Sequence, residues 1–308
     1  MTPATSKHDA VLGRWLVVAA TVFWGTTATL ARFVFRDHQV PALTVVELRL
    51  SIAALVLFPY LLIRRRSALR IRRQDLGYFL LLGTLGVAAV QGSYYYSISK
   101  LGVGVAILIQ YLAPSLIVLL DLVRGRKVST TTITAVTCAL AGTALLVGGV
   151  AGEAAHASLF DWCVSFASAF IFAFYILYSK RGLERYTPET VLLYTFAIAA
   201  VVWACVTPPW TILAAGYPAN VWWMFLALGL FSTLVPFGLF YAGLRRLPAA
   251  QTSILATTEP LVAVLAAALF LDERLRPVQL IGAVFVLTGA VLASRQTQHA
   301  DEALVERA

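Results

Sequence analysis

Ten apolar runs, each close to the length of a membrane crossing, divide this chain into a repeating pattern of hydrophobic segment and short polar break. They fall near residues 14–33, 41–63, 76–98, 101–123, 130–150, 159–179, 189–208, 220–243, 249–271 and 277–294. A helix needs about 20 predominantly apolar residues to cross the hydrocarbon core of a bilayer, so ten crossings take up roughly 200 positions. Out of 308 residues, that leaves short loops and two short tails and no room for a soluble domain. The first run, from about Arg14 to Arg32, is too long for a signal-peptide core and ends in no small-residue cleavage site, so it reads as a retained helix. The expected fold is all-α and integral to the membrane, with ten transmembrane helices and the lipid bilayer as surroundings. Composition agrees: 60% of residues are hydrophobic and 13% charged, against about 25% charged in soluble domains.

The formal net charge of +9 would suit a nucleic-acid partner if it were scattered, but it is sorted by loop. With both termini on the cytoplasmic side, 18 of the 24 basic residues fall in inner segments, among them six arginines between Arg64 and Arg73. Five (Arg32, Arg36, Lys100, Arg274 and Arg276) fall outside and Arg49 lies within a span. That asymmetry follows the positive-inside rule. It places both termini in the cytoplasm of a cytoplasmic (inner) membrane protein and reads the basic balance as topology, with no nucleic-acid partner.

The chain also aligns with itself. Tyr95, Leu101 and Pro114 match Tyr241, Leu247 and Pro260 at an offset of 146, and Gly83 matches Gly229. Pro41 with Pro188, and Leu140-Ala141-Gly142 with Leu287-Thr288-Gly289, match at 147. The expected organisation is therefore two five-helix repeats, 14–150 and 159–294. Because five is odd, the second copy enters the membrane from the opposite side. Such inverted repeats recur in secondary transporters, where substrate sits near the midplane between halves that exchange access.

Several motifs then carry a resemblance. Phe23-Trp24-Gly25 with Arg32, Glu47-Leu48-Arg49-Leu50, Glu259-Pro260, and Leu271-Asp272-Glu273-Arg274-Leu275 followed by Gln279, Gly282 and Gly289 resemble the drug/metabolite transporter superfamily, specifically its EamA-type ten-helix members. The resemblance covers residues 14–294. It implies a transporter of the cytoplasmic membrane, often an exporter of amino acids or related metabolites. The first repeat departs from the second in carrying Ala113-Pro114 where the second has Glu259-Pro260, so any role for that glutamate is one-sided.

Ionisable groups at membrane depth are rare and functional by default. Here they are Glu47, Arg49 and Glu259, with Asp121 near a helix end. Glu47 and Arg49 lie two positions apart, about 200° around a helix, so only one of them is expected on a cavity. For each, the reading of a substrate contact stands beside that of a bond to a neighbouring helix. Asp121, three residues before Arg124, reads as half of a helix-end pair. Pro114 and Pro260 each lack an N–H and free the carbonyls of Gln110 and Ala256, placing two broken helices at equivalent depths, the second beside Thr257-Thr258-Glu259.

Polar and aromatic stripes at helical spacing supply the remaining candidates. They are Asp161, Ser165, Ser168, Phe172, Tyr175 and Ser179 in the sixth span, Trp24, Thr27 and Ala31 in the first, Thr84, Ala88, Gln91 and Tyr95 in the third, and Gln110, Pro114, Ile117 and Asp121 in the fourth. Each stripe serves either helix packing or a shared cavity. The expected substrate-binding set is Trp24, Thr27, Glu47, Arg49, Gln91, Tyr95, Gln110, Phe172, Tyr175, Tyr241, Thr257 and Glu259. Tyr217, Trp222 and Trp223 read as interfacial anchors.

Cys138, Cys163 and Cys205 lie inside apolar runs and read as packing residues, while His8, His38, His156 and His299 fall in tails or loops, so neither a metal nor a cofactor is expected. No glycine-rich phosphate loop occurs, which leaves a solute or proton gradient as the source of energy. The resulting expectation is a secondary transporter of a small neutral or zwitterionic metabolite, with protons as a candidate partner and the oligomeric state open. The alternatives are a non-transporting receptor or assembly protein, or an intramembrane enzyme on lipid-linked substrates. The enzyme would require a nucleophile and base at membrane depth, where histidine is absent.

Overall fold

In hydrocarbon a backbone must satisfy its own hydrogen bonds, and a helix does so within one segment. The computed structural model describes residues 7–37, 40–147, 157–270 and 276–305, and among these residues there is no strand. Ten segments are long and apolar enough to span a bilayer. We number them α1 (Lys7–Asp37), α2 (Ala42–Arg64), α3 (Arg73–Leu101), α4 (Gly104–Val123), α5 (Thr130–Val147), α6 (Leu159–Leu183), α7 (Pro188–Val206), α8 (Ala219–Arg246), α9 (Ala249–Ala266) and α10 (Pro277–Val305). The protein is thus an all-α integral membrane protein of two inverted five-helix repeats. Leu271-Asp272-Glu273-Arg274-Leu275, the end of the fifth run at 148–150, His38, His156 and the side chain of Arg32 lie outside the described residues.

Boundaries move where polar residues extend a helix beyond its apolar run. The first helix begins at Lys7 rather than 14, which puts His8, expected in a tail, in its first turn, where it is exposed. The Ser158 and Thr187 side chains accept from the backbone N–H of Asp161 and Thr190 and so start α6 and α7, the cap chemistry expected of Ser and Thr. At the end of α4, Gly125 adopts φ +72°, its N–H bonds the Leu122 carbonyl, and that of Arg126 bonds the Asp121 carbonyl, a Schellman closure. The reversal brings Arg126, not Arg124, to Asp121 at 2.8 Å. The helix-end pair exists, but its partner is set by the left-handed glycine rather than by helical spacing.

The repeats interleave. α1 packs against α8 and α9, and its counterpart α6 packs against α3 and α4, while α2 meets α7 and α5 meets α10. Close approaches recur in matched pairs. A Cβ on Gly83 would sit 2.6 Å from Ile198, and one on Gly229 would sit 2.5 Å from Ile52. Likewise Gly142 abuts the Val286 backbone and Gly289 that of Ala139. Each pair maps onto the other by the sequence offset that relates the repeats, so helix crossings are duplicated along with residues. Every one of these contacts joins one repeat to the other, which makes the surface between repeats the core of the molecule.

Two irregularities also occur twice. α3 and α8 each contain a π-helical turn, at Leu82–Ala88 and Leu230–Leu234, the kind of distortion that concentrates at functional sites. α4 and α9 each break before their proline: Leu112 N–H bonds the Ile109 carbonyl and Thr257 N–H the Ile254 carbonyl, tightening the turn ahead of Pro114 and Pro260.

Candidate functional site

The π turn of α8 meets Arg49, which is only 8% exposed. Its Nε–H donates to Thr233 Oγ1 at 2.8 Å, one terminal nitrogen donates to the Tyr95 hydroxyl, and the other reaches the Ser232 carbonyl at 3.4 Å. The guanidinium carbon lies 5.7 Å from the Tyr95 ring centroid. Arg49 therefore ties α2 and α3 of the first repeat to the π turn of α8. That turn makes the site: in it the Thr233 hydroxyl also reaches the Leu228 carbonyl five residues back. A guanidinium carries five N–H donors, of which these bonds use three.

The opposite charge is supplied by Glu259, half-buried at the break in α9. The Tyr111 hydroxyl donates to its Oε2 at 2.7 Å, bringing the break of α4 against the break of α9. Tyr94 stands edge-on to Tyr95, with ring centroids 5.7 Å apart. From Tyr111 an aromatic array continues through Phe172 at 6.3 Å between centroids, Tyr175 at 6.0 Å from Phe172, and Tyr241 at 6.0 Å from Tyr175. Trp24 joins through Phe237 and Phe240, at 5.0 and 5.5 Å, both of which also contact Tyr175. A guanidinium, a carboxyl group and a connected array of aromatic rings thus sit where the two repeats meet.

The expected residues divide accordingly. Arg49, Tyr95, Phe172, Tyr175, Tyr241, Trp24 and Glu259 belong to this connected set. Gln91 and Gln110 are buried, Gln110 being the last residue before the α4 break. Thr257 turns its hydroxyl back to the Ile254 carbonyl at 2.6 Å and Thr27 to the Phe23 carbonyl at 2.6 Å, so both hydroxyls serve their own helices. Glu47 is 2% exposed, with Ser51 donating to both of its oxygens at 2.9 and 3.0 Å. It stands apart from the Arg49 bonds, as the two-residue spacing requires. The upper part of the sixth-span stripe is helix-capping and packing: Asp161 closes a capping box with Ser158 and accepts from the Tyr96 hydroxyl at 2.6 Å. Tyr217 and Trp222 pack on Phe225, leaving Trp223 as the exposed aromatic.

Tyr94, Tyr111, Ser232, Thr233, Phe237 and Phe240 were not expected here. Tyr111 had a signal, since it sits three residues before Pro114 and occupies the position of Thr257 in the other repeat. Thr233 had none, because only the π turn rotates it toward Arg49.

Comparison with known proteins rests on the same organisation. The profile of the EamA-like transporter family matches twice, over residues 11–148 and 161–295. The chain belongs to the EamA-like transporter family. Among EamA relatives, an uncharacterized transporter of Archaeoglobus fulgidus is 28% identical over 92% of this chain and 97% of its own length. The threonine/homoserine exporter RhtA of Escherichia coli (strain K12) is 28% identical over 91% and 88%. A probable terminal-alkyne amino-acid exporter of Streptantibioticus cattleyicolor is 26% identical over 92% and 93%. A crystal structure at 22% identity superposes with a TM-score of 0.77 over 96% of this chain and 99% of that one, a likeness of fold. As an EamA protein the chain is a multi-pass member of a transporter family.

Proposed function

We propose that this protein is a secondary-active exporter of amino acids or closely related metabolites in the cytoplasmic membrane, with both termini cytoplasmic. Substrate binds between two repeats bounded near 14–150 and 159–294, which rock to alternate access. What supports the reading is that a buried arginine of the first repeat, Arg49, and a half-buried glutamate of the second, Glu259, each bond across the surface between the repeats, with an aromatic array beside Glu259. A zwitterion presents a carboxylate and an ammonium at fixed separation. The two spare N–H donors of Arg49 suit the first by paired charge-assisted bonds, and the Glu259 carboxylate suits the second. Apolar side-chain surface then lies against Phe172, Tyr175 and Trp24. The naming of two relatives as amino-acid exporters supports the same class.

Sequence duplication built the scaffold, but the charges are not duplicated. At the offset of 146 that pairs Ile52 with Ile198, Arg49 corresponds to Thr195 and Glu259 to Ala113. A symmetric frame thus holds a polar ligand in one orientation, which is what directional handling of a zwitterion requires. Protons are the proposed coupling ion, with Glu259 and Glu47 as carriers. The test is efflux of labelled amino acids from proteoliposomes across an imposed pH gradient. Loss of transport in Arg49→Gln together with loss of pH dependence in Glu259→Gln is the expected result. A Glu259→Gln protein that keeps the full pH dependence removes Glu259 from proton transfer, and efflux only of phosphorylated sugars overturns the substrate class.

A further inference from the structure

The six arginines between Arg64 and Arg73 do more than mark a membrane face. All six are exposed, yet their loop is tightly fastened. Two short helical turns, Arg66–Leu69 and Arg73–Asp75, shape it, and five side chains of the opposite repeat hold it in place. The Thr190 hydroxyl donates to the Ala68 carbonyl at 2.8 Å and the Tyr194 hydroxyl to the Leu69 carbonyl at 2.7 Å. Arg72 N–H donates to Tyr186 Oη at 3.1 Å, and that hydroxyl donates in turn to Asp75 at 2.6 Å. Arg65 pairs with Glu189 at 3.1 Å.

What these bonds leave over is cationic. Asp75 and Glu189 are occupied by Arg185 and Tyr186 and by Arg65. Among the described residues, the side chains of Arg64, Arg70 and Arg73 make no hydrogen bond or ion pair with the protein. The loop also continues directly from the lipid-facing end of α2, where Tyr60 and Ile63 are 50% and 75% exposed. A rigid cluster of unpaired guanidinium groups therefore sits where an apolar helix face emerges from the hydrocarbon.

We propose that the α2–α3 loop is a binding platform for the headgroups of anionic phospholipids in the adjoining leaflet. Clusters of four to eight basic residues at the end of a membrane helix attract anionic lipid, and guanidinium suits phosphate by its planar pair of donors. Pre-ordering matters because a floppy loop would lose conformational freedom on every headgroup it bound. Here the opposite repeat has already fixed the backbone, and the apolar stretch at Tyr60 and Ile63 gives the acyl chains of the same lipid a surface to lie on.

The experiment is native mass spectrometry of the purified full chain in detergent, offered equal amounts of phosphatidylglycerol and phosphatidylcholine. Wild-type protein retains the anionic lipid at least several-fold over the zwitterionic one, and the retention falls as salt is raised. The combined variant Arg64→Gln/Arg70→Gln/Arg73→Gln touches none of the loop's protein bonds. It keeps its melting temperature and loses most of that preference, by about tenfold. Millimolar inorganic phosphate leaves retention unchanged. Equal retention of both lipids by the wild type, or a preference indifferent to salt, overturns the proposal without recourse to any variant. Displacement of the lipid by inorganic phosphate also overturns it, by assigning the cluster to free phosphate.

Discussion

Arg49 and Thr233 stand 184 positions apart, one in each repeat, and are joined by a 2.8 Å hydrogen bond from guanidinium Nε to the threonine hydroxyl. The bond depends on the π turn of α8, and it holds the cation of the site against the opposite half of the molecule. Any rearrangement that separates the repeats here must break or replace it, so under the proposed mechanism it would couple the charge that meets substrate to the surface that moves.

Arg49→Lys is therefore not a conservative change. A lysine ammonium keeps the charge but lacks the planar fork that reaches Thr233, Tyr95 and the Ser232 carbonyl together. Efflux from proteoliposomes is expected to fall by at least about tenfold, which corresponds to roughly 1.4 kcal/mol. Thr233→Val leaves the Nε–H without its partner, and a loss of about 1–3 kcal/mol in stability is expected, read as a lower melting temperature.

Tyr111 is the position where the two helix breaks touch. Tyr111→Phe preserves the ring against Phe172 but removes the hydroxyl that donates to Glu259. The expected loss is about 1–3 kcal/mol for a bond to a carboxylate. The effect of Tyr111→Phe should shrink in a Glu259→Gln background, since residues in contact are non-additive. Equal effects in both backgrounds would show that the phenol does not act through Glu259.

How far the site was legible in the sequence follows from which features are periodic. The ten spans, the duplication and the paired proline breaks were all readable because each rests on a repeated pattern of hydrophobicity or spacing. Arg49 and Glu259 stood out because charge is rare in spans. Their partners did not. Thr233 reaches Arg49 through a π turn that ordinary helical spacing does not describe, and Tyr111 lay unnoticed in an apolar run. Thr27 fits a periodic stripe and Thr257 stands in the polar run beside the Pro260 break, yet each hydroxyl bonds its own helix, an option open to any threonine. Asp121 found Arg126 rather than Arg124 because one left-handed glycine outweighed helical spacing.

At the arginine loop, Tyr186 bridges the Arg72 backbone to Asp75. Tyr186→Phe removes both bonds, and faster trypsin cleavage at Arg70 and Arg72 in detergent solution is expected. Burial, and after it the bond to Asp75, push the Tyr186 phenol above its usual range. A raised value favours the neutral form in the fold, so its contribution is complete below about pH 10 and is lost only as pH rises through the raised value. Wild-type protection from trypsin, corrected for the enzyme's own pH dependence, should be flat between about pH 6 and pH 9.

The matched glycines offer a test of the interleaved repeats that does not involve transport. A Cβ on Gly83 would lie 2.6 Å from Ile198, and on Gly229 2.5 Å from Ile52, closer than van der Waals packing allows. Because α3 and α7 on one side and α8 and α2 on the other are held by further contacts, neither pair can simply move apart. Gly83→Ala and Gly229→Ala are each expected to destabilise the protein by about 1–3 kcal/mol through overpacking. The sites share no contact partner, so the double variant should show nearly the sum of the two, within about 0.5 kcal/mol. The nearest atoms are Cγ2 and Cβ of each isoleucine, both of which valine would keep, so relief needs loss of Cγ2: Ile198→Ala should partly rescue Gly83→Ala and not Gly229→Ala, while Ile52→Ala does the reverse. Rescue across the pairs, or none at all, would mean that these glycines do not set the crossings that hold the repeats together.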